Sequence, residues 1–477
     1  MSQSSSLMNE NIAMLGKLLG ETIKEALGED LFERVETIRR LSKASHNGDE
    51  ESHGKLVETL QNLPDKEFLP VAQAFNQFLN LTNTAEQYDT VSQHASGKDN
   101  PVNFPHIYEI LKKGNIDDAS IKKAIDEISM DLVLTAHPTE INRRSLINNL
   151  NEVNDCLQQL DHDDLVDYKK HQIMRRLKQL VAQYWFTSEI RKNRPTPNEE
   201  AKWGYDVIEN SLWMAVPAFI REFNEQCETT LGYKIPVDAR PIHFTSWMGG
   251  DRDGNPNVTA AVTRDVLLQS RKRAAKLFLA DIEVLVKELS MFACTPEFRE
   301  YLGDQDAPEP YRELMKRLRT KLKKTLTYFE EKDDDKPIPV REDIIHSNEQ
   351  LWEPLMQCYN SLVACGMQSI ANDKLLDTLR RIKCFCVTLA KLDIRQESTR
   401  HTEALSEITK YLGLGYYEAW SEEETQAFMI KELSSRRPLI PQNWEPSPET
   451  KEVLETCKVI AETNDGVIPV YVIYTTR

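Results

Sequence analysis

Apolar side chains recur every three or four residues along the first part of the chain, as they do on the buried face of an amphipathic helix. The series runs through Ile12, Leu15, Leu19, Ile23, Leu27, Leu31, Val35 and Ile38. It predicts one long helix, with Gly28 as the candidate break. A second helical pattern covers 68–79, and the polar stretches 42–54 and 92–103 are predicted to be connecting loops.

Four short segments rich in apolar and β-branched residues stand apart from this helical pattern. They are 131–136, 242–247, 387–394 and 467–474. Helical patterns follow the first three of them, and short strands that alternate with helices predict a parallel sheet or barrel. We therefore predict a helix-dominated α/β protein that has an N-terminal helical region, 1–130, and a β/α region with long helical insertions, 131–477.

Composition and charge narrow the class of protein. The chain has 477 residues, 40% of them hydrophobic, and its 59 Lys and Arg against 76 Asp and Glu give a net charge of −17. An acidic chain argues against a nucleic-acid binder held by phosphate contacts, although a local basic pocket for a small anion remains compatible with it. The sequence contains no apolar run near the roughly 20 residues of a membrane helix. Its polar start does not look like a secretory signal, and its eight cysteines are expected to be reduced thiols, so we predict a cytoplasmic protein.

The strongest chemical signal is Thr-Ala-His-Pro-Thr-Glu-Ile-Asn-Arg-Arg at 135–144, where a predicted strand ends. In β/α enzymes such positions face the active site. His137 can act there as a general base near neutral pH, and Arg143 and Arg144 add cationic donors. The alternative is that His137 only braces the start of a helix.

A second signal is the glycine-rich stretch 248–259, which holds three of the 17 glycines within six residues. Paired glycines let a backbone approach a ligand closely, and the following helix start offers free N–H groups to an anion. A tight structural turn explains the stretch equally well. Its Asp-x-Asp-Gly run is not a calcium loop, because the glycine is at the fourth position and Val262 occupies the twelfth.

A third signal is Arg395, just past a predicted strand within 393–401. An arginine in that place can bind a carboxylate or phosphate through two parallel hydrogen bonds, or it can simply be solvated. Cys384 and Cys386 lack a second pair of ligands at zinc spacing, so we assign them to core packing.

Taken together, these motifs resemble those of the phosphoenolpyruvate carboxylase family, most closely its bacterial members. The matching runs are 133–144, 194–197, 244–256 and 393–398, and the similarity extends from near the N-terminus to about Ile473. The resemblance implies a (β/α)8 barrel of the TIM type inside a mostly helical body. On this basis we expect the chain to hold the first four strands, that is, the first half of the barrel.

The resemblance also implies a reaction. Phosphoenolpyruvate and bicarbonate would give oxaloacetate and phosphate with Mg²⁺ or Mn²⁺, an anaplerotic carbon fixation that feeds the tricarboxylic acid cycle, and the enzyme would be a cytoplasmic homotetramer. By resemblance, His137 is the base that takes the carboxyl proton of carboxyphosphate, Arg395 holds the substrate phosphate and Trp247 walls the CO2 pocket. Further substrate-binding candidates are Arg143, Gly249, Gly250, Asp251 and Arg252.

Several features of the family do not appear in this sequence. They are a second signature with a catalytic lysine, the metal-binding carboxylates, a Gly-Arg-Gly-Gly loop and about half of the family's length. We therefore expect a truncated chain that is inactive alone. One alternative is a non-catalytic fragment that assembles with a C-terminal half or with full-length subunits, and another is a phosphohistidine carrier that uses His137.

Overall fold

The structure is a computed structural model that describes residues 3–95, 103–135, 144–162, 164–189, 195–253, 255–331, 341–436, 438–440, 443–463 and 466–474. Two compact units can be recognised, one made of Met1–Asn103 with Pro138–Arg194 and the other of Phe104–His137 with Pro195–Arg477. Each unit thus combines two separate stretches of chain. The predicted boundary at residue 130 instead divides the chain into two continuous regions, 1–130 and 131–477, and it stays a prediction.

Within the described residues most elements are helices, and a few short strands lie between groups of them. The helices are α1 (Gln3–Leu27), α2 (Glu29–His46), α3 (Glu50–Gln61), α4 (Asp65–Ala95), α5 (Phe104–Lys113), α6 (Asp118–Asp126), α7 (Arg144–Leu160), α8 (Asp167–Phe186), α9 (Pro197–Val207), α10 (Trp213–Leu231), α11 (Ala260–Glu288), α12 (Pro296–Leu302), α13 (Pro310–Glu331), α14 (Glu349–Ala364), α15 (Gln368–Ile370), α16 (Leu376–Phe385), α17 (Ser398–Tyr411), α18 (Glu422–Ser434) and α19 (Pro448–Glu462). The strands are β1 (Met130–Leu134), β2 (Ile242–Ser246), β3 (Lys391–Leu392), β4 (Ile394–Glu397) and β5 (Tyr471–Tyr474). None of these helices combines the length and the apolar character that crossing a membrane requires.

The described part of the first unit is helical, and its core confirms the N-terminal periodicity. Leu15, Leu19 and Ile23 of α1 are buried together with apolar residues of α2, α4, α7 and α8. The predicted break is confirmed as well, because Gly28 has a φ of 91° between α1 and α2, a conformation that favours glycine.

The predicted loop 42–54 is wrong. Helix α2 continues to His46 and α3 begins at Glu50, so that only 47–49 connects them. The Asp49 side chain accepts a hydrogen bond from the amide of Glu51 and caps α3. The polar residues of this stretch therefore lie on exposed helix surface, which a polarity pattern does not distinguish from a loop.

The described part of the second unit contains two parallel sheets, β1-β2-β3 and β4-β5, in which neighbouring strands follow each other in chain order. β1 pairs with β2, β2 with β3, and β4 with β5, all in parallel. The Asp393 amide donates to the Ser246 oxygen over 2.8 Å, and the Arg395 amide donates to the Gly250 oxygen over 3.0 Å. Segment 391–397 therefore has β2 and the turn after it on one side, and β5 on the other.

The first two strand predictions are confirmed, the fourth is confirmed only over Tyr471–Tyr474, and the third needs correction. In that stretch Cys386–Thr388 forms a 3-10 turn, and β3 and β4 follow it on either side of Asp393. Cys384 is nevertheless buried in the core, as assigned, whereas Cys386 is only half-buried. The prediction of a helix-dominated α/β fold with parallel strands is confirmed.

The core of the second unit packs against one side of β2. Phe244 of β2 stacks on Phe385 of α16 with ring centroids 4.8 Å apart, and both rings are buried. Side chains alternate along a strand, so His243, Thr245 and Trp247 lie on the opposite face. That face carries the polar groups described next.

Candidate active site

The carboxyl end of β2 and the first half of β4 bring two of the predicted site residues into contact. Trp247 directly follows β2, and Arg395 lies in β4. The guanidinium carbon of Arg395 lies 3.7 Å from the centroid of the Trp247 ring, which is a close cation–π contact. Both side chains are half-buried, so the pair lies at the surface of a partly dry site.

Arg395 retains hydrogen-bonding capacity in this position. Its Nε atom is buried and has no hydrogen-bond partner among the described residues. Burial raises the pKa of the neighbouring Asp393 carboxyl, although the positive charge of Arg395 opposes the shift. A guanidinium that has an unused buried donor is suited to bind an anion, since a planar fork of N–H groups matches phosphate and carboxylate oxygens.

A tight turn after Trp247 carries the paired glycines. The amides of Gly250 and Asp251 each donate to the Trp247 carbonyl oxygen over 2.9 Å. A Cβ atom on Gly250 would lie 2.1 Å from the carbonyl oxygen of Asp393. Gly249 has a φ of 79°, and a Cβ there would lie 2.6 Å from a methyl group of Val266. The two glycines therefore allow the turn to pack against β4 and α11.

The side chains of Asp251 and Arg252, in the same turn, form hydrogen bonds to other groups of this chain. Arg252 is 8% exposed and donates from Nη1 to the Gly250 oxygen over 3.0 Å and from Nη2 to the Thr263 hydroxyl over 2.9 Å. Burial lowers the pKa of Arg252. The Asp251 carboxylate accepts from the Asp253 amide over 3.1 Å, and its backbone forms a bridge to Arg395.

His137 and Arg143 lie outside the described residues, between the end of β1 and the start of α7. The structure thus brings six of the eight predicted site residues into one turn and the strand beside it. They are Trp247, Gly249, Gly250, Asp251, Arg252 and Arg395.

Thr263 was missed at the level of sequence. It is fully buried in α11, where its hydroxyl donates to the Gly249 oxygen over 2.7 Å. The one local signal was a polar residue in the helix that was expected to follow the glycine-rich stretch. Such a threonine commonly bonds its own helix, so its contact with the turn could not be read from the pattern.

Comparison with known proteins agrees with the motifs. A family model described as phosphoenolpyruvate carboxylase matches residues 8–477. The chain belongs to the phosphoenolpyruvate carboxylase family. The resemblance expected from the motifs is thereby confirmed over nearly the whole chain.

Comparison with individual members of the phosphoenolpyruvate carboxylase family shows what share of each relative's length this chain matches. The chain is 62% identical to the phosphoenolpyruvate carboxylase of Edwardsiella ictaluri (strain 93-146) over 477 residues, which are 100% of this chain and 54% of the relative. It is 60% identical to that of Yersinia pseudotuberculosis serotype O:1b (strain IP 31758) over 473 residues, 99% of this chain and 54% of the relative. The chain therefore spans about half the length of the curated relatives that it matches.

Proposed function

We propose that this chain carries the phosphoenolpyruvate-binding part of a phosphoenolpyruvate carboxylase, with Arg395 as the ligand of the substrate phosphate. The observation that carries the proposal is the Arg395 guanidinium stacked 3.7 Å over Trp247, with a buried Nε atom that has no partner among the described residues. Two parallel N–H groups of an arginine can hold two phosphate oxygens at once.

The proposed roles of the other side chains follow from their chemistry. Trp247 holds the guanidinium plane and keeps water from one side of it, which strengthens the attraction between Arg395 and an anion. It also offers an apolar wall for CO2. His137, in the proposed role of base, takes the proton from the carboxyl group of carboxyphosphate, so that CO2 is released beside the enolate of pyruvate. Arg143, also outside the described residues, is proposed as a further ligand of the substrate.

The resemblance implies Mg²⁺ or Mn²⁺, which would stabilise developing enolate charge. In the described part of the chain, no group of three or more His, Cys, Asp or Glu side chains could hold a metal ion. These residues do not by themselves fit the metal. We therefore propose that its ligands lie outside the part of the chain that the structure describes, and no step above runs through it.

We further propose that the sheet is the first half of a (β/α)8 barrel. Consecutive strands of such a barrel are parallel neighbours. β1, β2, segment 391–397 and β5 follow this order. For the whole protein we propose a cytoplasmic homotetramer, as the resemblance implies.

A complementation assay tests the proposed reaction. The chain is mixed with the portion of the Edwardsiella ictaluri relative that it does not match, and oxaloacetate is measured with phosphoenolpyruvate, bicarbonate and Mg²⁺ supplied. We expect no turnover by the chain alone and measurable turnover by the mixture. His137→Ala and Arg395→Gln should each abolish it. Turnover that survives either substitution would contradict the proposed roles.

A second candidate, a non-catalytic chain that assembles with a complementary segment, is favoured by the exposed side chains of β1. Met130, Leu132 and Val133 are 47%, 45% and 44% exposed, although they belong to a strand. Such a strand favours pairing with another polypeptide. If the chain and the added portion of the relative co-purify but show no turnover, this candidate is supported. If the two polypeptides elute separately from a sizing column, it is excluded.

A further inference from the structure

We propose that Thr263 and Arg252 are positioning residues that hold Trp247 and Arg395 in contact, although neither of their side chains is bonded to that pair. For its effect on phosphoenolpyruvate binding the inference rests on the proposed function. Its effect on the geometry of the pair does not depend on any ligand.

The Thr263 hydroxyl connects α11 to the turn that follows Trp247. It donates to the Gly249 oxygen over 2.7 Å and lies 3.2 Å from the Thr259 oxygen of its own helix. It also accepts a hydrogen bond from Nη2 of Arg252 over 2.9 Å. This single buried oxygen therefore satisfies both a carbonyl of the turn and a guanidinium group.

Arg252 connects the same turn to β4. Its Nη1 atom donates to the Gly250 oxygen over 3.0 Å, and that oxygen also accepts from the Arg395 amide. The Arg252 amide donates in turn to the Arg395 oxygen over 3.2 Å. The backbone of Arg395 is thus bonded on both sides to residues that Thr263 and Arg252 fix.

The two connections meet at Trp247. Its carbonyl oxygen accepts hydrogen bonds from the amides of Gly250 and Asp251. The position of the turn therefore determines the position of the Trp247 backbone, from which the indole ring extends. Removal of the Thr263 hydroxyl leaves the Gly249 oxygen and Arg252 Nη2 without that partner in a buried place. The turn must then shift to regain hydrogen bonds, because unsatisfied buried polar groups are unfavourable.

The test compares Thr263→Val with Thr263→Ser and with Thr378→Val as a matched control. Valine keeps the shape of threonine and removes the hydroxyl, whereas serine keeps the hydroxyl. Thr378 is equally buried in α16, and its hydroxyl donates to the oxygen of Lys374, in the π-helical turn directly before α16, over 2.9 Å. The control therefore reports the loss of a helical threonine hydroxyl by itself.

The first readout is the fluorescence of Trp247, obtained as the difference between each variant and the same variant with Trp247→Phe. We expect Thr263→Val to change the intensity or wavelength of this emission, and Thr263→Ser and Thr378→Val to leave it unchanged. An unchanged Trp247 emission in folded Thr263→Val would overturn the inference. Should Thr263→Val not fold, Arg252→Lys decides by the same readout, since lysine reaches only one of the two acceptors.

The second readout is the dissociation constant of phosphoenolpyruvate, measured calorimetrically on the 477-residue chain. We expect at least about a tenfold increase for Thr263→Val, as for the loss of a well-oriented hydrogen bond to a charged group, and recovery in Thr263→Ser. Equal affinity in Thr263→Val and the parent chain would contradict the positioning role. Absence of binding by the parent chain would count against the proposed function, while the Trp247 emission would still decide the inference.

Discussion

The guanidinium carbon of Arg395, in β4, lies 3.7 Å from the centroid of the indole ring of Trp247, which directly follows β2. This contact restricts the arginine side chain, and its buried Nε atom has no hydrogen-bond partner among the described residues. Because a preorganised guanidinium loses less freedom when it binds, the contact is expected to strengthen the attraction for a phosphate group.

Trp247→Ala should weaken phosphoenolpyruvate binding by about 2- to 30-fold, the range that a cation–π contact supplies, while Trp247→Phe should lose less. Calorimetric titration measures both dissociation constants. The matched control is Trp352→Ala, because Lys383 lies 4.0 Å over that ring in a pair of the same kind elsewhere in the unit. Equal losses in the two alanine variants would mean that the effect is not specific to the site.

Gly250→Ala should destabilise the second unit by about 1–3 kcal/mol, as overpacking does. The added Cβ would lie 2.1 Å from the Asp393 carbonyl oxygen, so that the turn or β4 must move. Urea denaturation measures the free energy of unfolding. Gly54→Ala, in α3 where a Cβ meets nothing within 4 Å, should instead be neutral or stabilising. Tolerance of alanine at residue 250 would contradict the close approach.

His243 should make stability depend on pH. Burial, helped by the positive charge of Arg240, lowers the pKa of His243 below its ordinary 6.5. Its contribution to stability is therefore fully present above pH 6.5 and is lost as the pH falls through the lowered value. His243→Gln should lose less unfolding free energy than the parent chain between about pH 7 and 5. His171→Gln, at an exposed histidine, should follow the parent; parallel curves for all three proteins would refute the prediction.

Asp281→Ala should cost about 3–5 kcal/mol of unfolding free energy, because it leaves a buried cation unpaired. Asp281 accepts from Arg381 over 3.0 Å, and the two side chains are 14% and 7% exposed. Glu403→Ala removes the partner of Arg400 in a pair whose side chains are 59% and 47% exposed, and it should cost at most about 1 kcal/mol. Chemical denaturation compares the two variants, and similar losses would contradict the difference in burial.

Local sequence patterns predicted the elements that show a regular spacing of apolar residues or a clear break in it. The heptad-like series around Leu15 and Leu19, the break at Gly28 and the long helix α11 were all readable, since each depends on neighbouring residues. The stretch 42–54 was not, because a polar run is equally compatible with a loop and with an exposed helix. Segment 387–394 failed for a related reason, since apolar character alone does not place the start of a strand.

The site was readable in part. The resemblance assigned Trp247 and Arg395 to one site, and the structure brings the two side chains into contact. For the glycines, a ligand-binding loop and a tight structural turn were both left open, and the close neighbour of Gly250 is the backbone of Asp393. Thr263 carried only the signal of a polar residue within a helix, because its role depends on a carbonyl brought to it by the fold.

The sequence by itself determined the family and the helix-dominated α/β class, and it supplied the candidate site residues, because motifs and periodicity are written in consecutive positions. The tertiary structure alone decided which of these groups meet. It placed the Arg395 guanidinium over Trp247, and it bonded the Gly249–Gly250 turn to both α11 and β4. The physical reason is that such contacts join residues far apart in the chain, and their hydrogen bonds exist only once the parallel strands and α11 have packed.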